Sequence, residues 1–273
     1  MLTMLFPIAD DNSDRRIWPY VTYCLIAMNF AVFILLQLPS ARDAFTYGFA
    51  VIPYEILSGR DLLAPGRPPN SSVVIPQAPG PSPIQLTLLS AMFMHGGWAH
   101  LLGNMLYLWI FGDNVEDAMG HFKFLMFYLL CGFIATGAHI FASQMAGGLN
   151  IYIPSLGASG AIAGILGGYL MLYPAKRVHV LLGFFVIAVP AVLVIGLWIV
   201  TQIFSGVGSI AITEQTRESG GGVAYFAHVG GAVAGLILVW LFRNPRVQQR
   251  AQQRMALNPG PYGGPYGGGG YGR

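Results

Sequence analysis

Three short stretches of this chain carry residue types that could do covalent chemistry. Gly157-Ala158-Ser159-Gly160 sets a hydroxyl between glycines at the start of an apolar segment. Ala227-His228-Val229-Gly230-Gly231 sets an imidazole at the start of another. A third apolar segment opens with His95-Gly96-Gly97-Trp98-Ala99-His100-Leu101-Leu102-Gly103-Asn104. Serine, histidine and asparagine are costly inside a bilayer and mark function when they occur there. Together the three stretches suggest a serine hydrolase built within a membrane.

Ser159 would stand at a helix N-terminus, where backbone N–H groups are free and the partial charge is positive. Its own N–H could then bind an oxyanion. Gly157 and Gly160 would let a substrate backbone come close. Read alone, the same four residues also make a small-residue packing motif with a capping serine. A serine hydroxyl is a weak nucleophile unless a base adjoins it. His121, His179, Lys123 and Lys176 fall at the wrong depth for that role, which leaves His228 and His139. Small residues mark the His228 side of its segment, Gly231 and Gly235 at i+3 and i+7, and Gly160, Ala163, Gly164, Gly167 and Gly168 do the same below Ser159. Two such faces can approach closely and bring hydroxyl and imidazole together. His139 has no such stripe and reads more simply as a packing residue.

His100, Gly103, Asn104 and Tyr107 share one helical face at i, i+3, i+4 and i+7. An imidazole and an amide beside a serine can donate hydrogen bonds to a developing oxyanion; they can equally serve as polar glue between helices. His95 reads as a loop-bracing residue. No Asp or Glu falls at the depth of His228, so no acidic third member of a triad is apparent. Asp113, Glu116 and Asp117 sit at the far end of their segment and read as anchors of the loop there.

The elements that must position these groups are membrane helices. Only 9% of residues are charged and 55% are hydrophobic, against about 25% charged in soluble domains. A bilayer core takes about 20 apolar residues as helix. Six segments qualify: 17–37, 95–112, 122–143, 157–173, 178–203 and 223–242. The expected fold class is an all-α membrane protein, a bundle of six transmembrane helices. Pro190 would kink the fifth segment. Placing the N-terminus in the cytoplasm puts ten of the 14 Lys and Arg residues inside and four, Arg42, Arg60, Arg67 and Arg217, outside. The positive-inside tendency favours that orientation. Both termini are then cytoplasmic, and Ser159, His228, His100 and Asn104 all reach the outer depth, although more than a hundred positions separate some of them.

Residues 1–16 read as a cytosolic tail and 17–243 as the membrane domain. Within the first outer connection, 38–84, the aromatic-rich part reads as interfacial helix and the later proline-rich part as extended loop. Residues 204–222, rich in Gly and Ser, read as a mobile outer loop that could gate access. The segment 244–273 turns polar and then Pro/Gly/Tyr-rich, a composition that cannot bury enough apolar surface to fold. Cys24 and Cys131 lie in apolar spans and imply neither disulfide nor zinc site. A net charge of +3, concentrated at loop ends, gives no reason to expect nucleic acid.

The three motifs, in this order on these spans, resemble the rhomboid family of intramembrane serine proteases, over roughly residues 17–243. The resemblance implies a rhomboid-like six-helix core with an aqueous cavity open to the outside, most simply in a bacterial cytoplasmic membrane. It implies Ser159 as nucleophile, His228 as general base without an acidic partner, and His100, Asn104 and the Ser159 N–H as the oxyanion site, with Gly157 beside it. It implies transmembrane protein substrates with helix-destabilising residues near the cleavage site, the lipid bilayer as surroundings, and no metal or cofactor. Some family members carry a Trp-Arg pair in the outer loop and a tyrosine four residues after the nucleophile. Here Gln85-Leu86-Thr87 and Ala163 stand instead, which touches loop packing and the ring beside the histidine. The alternatives are a catalytically inactive relative that binds membrane clients, against which both Ser159 and His228 are retained, and a polar-lined transporter, which would leave a serine at a helix N-terminus unexplained.

Overall fold

A computed structural model of the chain describes residues 6–13, 15–40, 43–69, 74–216 and 225–245, of 207–216 the backbone alone. In chain order it runs through strand β1 (Phe6–Asp10), helix α1 (Tyr20–Val32) prolonged by a π-helical turn (Phe33–Gln37), the short helices α2 (Ala44–Phe49), α3 (Pro53–Ser58) and α4 (Thr87–Ser90), and then α5 (Trp98–Met119) and α6 (His121–Ala146). It continues through α7 (Ser159–Leu172), strands β2 (Arg177–Leu182) and β3 (Phe185–Pro190), α8 (Ala191–Thr216) and α9 (Tyr225–Phe242).

Most of the described chain is helical. Among the described residues three stretches are long and apolar enough to cross a membrane: Tyr20–Gln37, His121–Ala146 and Tyr225–Phe242. Ser159–Leu172 and Ala191–Gly206 are shorter apolar helices. α5 has the length, with 22 residues, but carries Asp113, Glu116 and Asp117 in its last turns. α7 lies at the centre of the bundle, and Gly160 through Tyr169 are all buried. The core around it includes Leu101, Leu108, Phe127, Tyr128, Ile165 and Leu166.

An all-α reading misses a three-stranded antiparallel sheet in the order β1-β2-β3. Phe6 pairs with Leu181 and Asp10 with Val178, with a bulge between Pro7 and Ala9. β2 and β3 form a hairpin closed by Gly183 and Phe184. Gly183 has φ +61°, as the tight turns that join twisted strands require at their first central residue. The apolar run 178–190 therefore belongs to a hairpin, and the helix expected over 178–203 begins at Ala191 after Pro190. The run is rich in β-branched and aromatic residues, and Val178 and Val180 are buried in strand alternation. Mean apolarity does not distinguish such a run from helix. Two further boundaries move. Residues 204–216 continue α8 where a loop was expected, and 217–222 lie outside the described residues. Of the expected tail 244–273, residues 246–273 also lie outside them.

The N-terminal segment is no loose tail. Glu116, fully buried, accepts from the Thr22 N–H and hydroxyl at Oε2 and from the Val21 N–H at Oε1, at 2.7–3.0 Å, and Oε1 also lies 2.6 Å from His121 Nδ1. These N–H groups belong to the first turn of α1 and have no intrahelical acceptor, so a carboxylate there both caps the helix and meets its positive end. Asp117 accepts from the Arg16 and Ile17 N–H groups, and Arg15 pairs with Asp113 at 2.8 Å. The three acids at the end of α5 thus fasten the start of α1, and α5 is the helix that carries His100 and Asn104.

β1 is fastened to the same end of the bundle through Asp10. Its Oδ2 accepts from the Tyr169 hydroxyl and the Asn114 amide, both at 2.7 Å, and Lys176 Nζ donates to Asn114 Oδ1. Burial, only partly offset by the Tyr169 bond, raises the Asp10 carboxyl from 3.8 to about 7. The folded state thus keeps a proton that the unfolded chain has already lost between pH 3.8 and 7. Stability from Asp10 is full below that window, falls as pH rises through it, and levels off above 7. Asp10→Asn should remove this slope. The melting temperature of the detergent-solubilised variant should change less between pH 5 and 8 than that of the wild type, and equal slopes would refute the assignment.

Candidate active site

Ser159 is the first residue of α7, and the chain before it is tied down by three backbone hydrogen bonds. Val51 and Ser155 exchange backbone hydrogen bonds of 2.8 and 2.9 Å, and the Gly157 N–H donates to the Ala91 carbonyl at 2.8 Å. The Ala158 carbonyl then accepts the first helical bond, from Ile162. The N–H groups of the first turn, including that of Ser159, are left without intrahelical acceptors. Gly157 has φ +130°, and a Cβ there would lie 2.9–3.0 Å from the His100 ring. Glycine is needed at this position both for the dihedral and for the approach of His100.

His228 lies in the first turn of α9, which packs along α7 through the small residues of both helices. A Cβ on Gly231 would collide with the Gly160 carbonyl oxygen, one on Gly235 with that of Gly164, and one on Gly167 with that of Ala232. At the end of this contact His228 Nε2 lies 2.8 Å from Ser159 Oγ. The other ring nitrogen, Nδ1, lies 2.7 Å from Gln202 Oε1 of α8. The Trp198 ring, also from α8, stands beside the imidazole at 5.6 Å between centroids and 36° between planes.

Ser159 and His228 open into a cavity of about 560 Å³. His100, Gly103, Asn104 and Tyr107 of α5 line one wall, Trp198 of α8 another, and Ile153 to Leu156 a third. Asn104 is 8% exposed, and among the described residues its Nδ2 has no hydrogen-bond partner. His100 accepts at Nδ1 from the Gly96 N–H at 3.3 Å. Behind it stands His95, 1% exposed, its ring edge-on to His100 at 5.1 Å. The side-chain amide of Gln37, from the π-helical turn, clasps the backbone of His95, accepting from its N–H at 2.9 Å and donating to its carbonyl at 3.0 Å. His139 does not line this cavity, and its Nε2 lies 3.5 Å from Ser143 Oγ on its own helix.

Chemically, the arrangement offers a hydroxyl bonded to an imidazole, a free amide donor across a cavity, and helix N-terminal N–H groups beneath. Among the described residues no group of three or more His, Cys, Asp or Glu could hold a metal ion. Two residues of the site were not found from sequence. Gln202 escaped because only acids were sought as a partner for the base; its polarity within the apolar run from Ala191 was the available signal. Trp198 escaped because the ring beside the histidine was sought four residues after Ser159, whereas a neighbouring helix supplies it.

Gly157→Ala should drive the new methyl into the His100 ring and strain the backbone at the approach to Ser159. A misplacement of about 1 Å at a reacting centre costs on the order of 100-fold in rate. We expect at least that loss in covalent labelling of Ser159 by a serine-reactive probe, together with a lower melting temperature from the strained dihedral; labelling at the wild-type rate would refute the tight approach.

The chain is similar to known proteins over the region that contains this site. The Rhomboid domain family model matches residues 85–245. Rhomboid protein 1, mitochondrial, of Saccharomyces cerevisiae is 26% identical over 86% of this chain and 56% of its own length. Rhomboid-like protein 11, chloroplastic, of Arabidopsis thaliana is 30% identical over 58% of this chain and 53% of its own. Rhomboid protease GluP of Bacillus subtilis is 30% identical over 58% of this chain and 26% of its own. The chain spans about half the length of the first two and about a quarter of the third. Since the matched region takes in α5 through α9 and every residue around the cavity from His95 to His228, the chain belongs to the rhomboid family, a family of integral membrane proteins.

Proposed function

We propose that this protein is an intramembrane serine endopeptidase that cleaves single-span membrane proteins through Ser159 and His228. The observation that carries the reading is the 2.8 Å contact between Ser159 Oγ and His228 Nε2, facing a cavity that His100 and Asn104 also line. Ser159 Oγ attacks the scissile carbonyl carbon as its proton passes to His228 Nε2. The resulting oxyanion is met by the Ser159 N–H, Asn104 Nδ2 and the His100 ring. Collapse breaks the C–N bond, and His228 returns its proton to the leaving amine. Water then attacks the acyl-enzyme, gives a proton to His228 and releases the acid, and Ser159 regains its hydrogen. The substrate helix must unwind locally, because a hydrogen-bonded helical carbonyl is shielded from attack.

In this reading α1, α5, α6, α7, α8 and α9 are six spans. The Lys and Arg asymmetry is the support for placing both termini on the cytoplasmic side and the site toward the outer face. The test is labelling of the detergent-solubilised protein with a fluorophosphonate, comparing wild type with Ser159→Ala and His228→Ala. Labelling of wild type alone is expected. A folded wild type that does not label would overturn the protease reading in favour of client binding, and labelling that survives Ser159→Ala would mean a different nucleophile.

A further inference from the structure

We infer that Gln202 is a positioning residue that holds the proton of the His228 imidazole on Nδ1, so that Nε2 faces Ser159 as a base. The inference rests on the reading of Ser159 and His228 as nucleophile and base. A neutral imidazole has one N–H and one acceptor nitrogen, and the bond made by one nitrogen sets the role of the other. Gln202 Oε1 stands 2.7 Å from Nδ1 and Ser159 Oγ stands 2.8 Å from Nε2. An amide oxygen can only accept, so Nδ1 must donate. The lone pair of Nε2 is then left for the serine proton. With the amide reversed, its N–H would donate to Nδ1. The ring proton would move to Nε2, point at the serine oxygen, and leave no base.

Gln202 is free for this task in a way its neighbour is not. The Thr201 hydroxyl is consumed by the Trp198 carbonyl of its own helix at 2.7 Å. The Gln202 side chain is half-buried and reaches from α8 to α9, while Trp198, one turn earlier, flanks the same imidazole. The base is therefore oriented from a third helix, distinct from those that carry the nucleophile and the base. A neutral amide does this without placing a carboxylate at bilayer depth, where an unpaired charge is expensive. It also stabilises the imidazolium formed during the reaction, as an acceptor for Nδ1–H, though less than a carboxylate would. Among the described residues the other titratable groups in electrostatic range of His228 are His100 of α5 and His139 of α6.

The test is the rate of fluorophosphonate labelling across pH for wild type, Gln202→Ala and Gln202→Glu in detergent, with the maximal rate and the probe affinity separated. Gln202→Ala should lower the maximal rate by roughly 10- to 100-fold, as loss of an orienting partner typically does, with affinity changed by less than about twofold. Its acid limb should move to lower pH, because the imidazolium loses its acceptor. Gln202→Glu should recover most of the rate and move the acid limb to higher pH, because a carboxylate at Nδ1 holds the imidazolium. A purely structural role would lower both rates together with thermal stability and leave the limb in place. If Gln202→Ala does not fold, the direction of the limb in Gln202→Glu decides. Labelling of Gln202→Ala within about twofold of wild type, or an unmoved limb in both variants, overturns the inference. A wild type that never labels overturns the protease reading beneath it.

Discussion

Ser159→Ala should abolish cleavage of a reconstituted single-span substrate, His228→Ala should cost nearly as much, and the double variant should be no worse than either. In the proposed mechanism nucleophile and base act in one step, so removing one leaves the other nothing to act upon. In serine hydrolases such losses are grossly non-additive and reach about 10⁴-fold or more, with a residue of catalysis left to the oxyanion donors and binding. The expectation depends on the single contact of 2.8 Å between Oγ and Nε2. The cost to folding should be small by comparison. Ser159 is half-buried, and losing one hydrogen bond of this kind costs on the order of 1 kcal/mol. Single-turnover cleavage and thermal melts of all four proteins make the measurement. Losses that multiply in the double variant would show that the two residues act in separate steps, and the mechanism would fall.

Gly235→Ala and Gly231→Ala should lose most activity and stability together, although each adds only a methyl group. The atoms in the way are the Gly164 and Gly160 carbonyl oxygens of α7, backbone that no rotamer change can move. The helices must separate, and α7 carries Ser159 while α9 carries His228. Overpacking of this kind costs about 1–3 kcal/mol, and each ångström of separation at the dyad costs on the order of 100-fold in rate. Gly137→Ala in α6 is the control. It is exposed, a Cβ there meets nothing within 4 Å, and alanine is the better helix former by about 1 kcal/mol. Melting temperature and labelling rate should fall for the two α9 variants and hold or rise for the control. Unaltered rates in the α9 variants would mean that the close packing is not what sets the dyad distance.

Ser159, His228, His100 and Asn104 were legible in the sequence because their signals are local. A histidine, a serine and an asparagine in apolar runs stand out by cost alone, and helical phase places His100, Asn104 and Tyr107 on one face. The glycine faces of α7 and α9 follow from a period of three to four, and the close backbone contact needs those faces whatever else surrounds them. Membrane character follows from composition.

Other features depend on which element lies beside which, and a linear pattern does not record lateral neighbours. Gln202 and Trp198 meet His228 only because α8 packs beside α9. Asp10 meets Tyr169 across 159 positions, which gives a segment that looked like a tail a strand and a fixed place. The run 178–190 was apolar enough to read as part of a span, and the pairing of β2 with β3 and with β1 decided it as strand. The types of Ser159, His228, His100 and Asn104 and their places on helical faces were thus determined by the sequence itself. The partner that orients the base, and the sheet that clasps the far end of the bundle, were decided by tertiary packing, because hydrogen bonds between elements are formed only after those elements have chosen their neighbours.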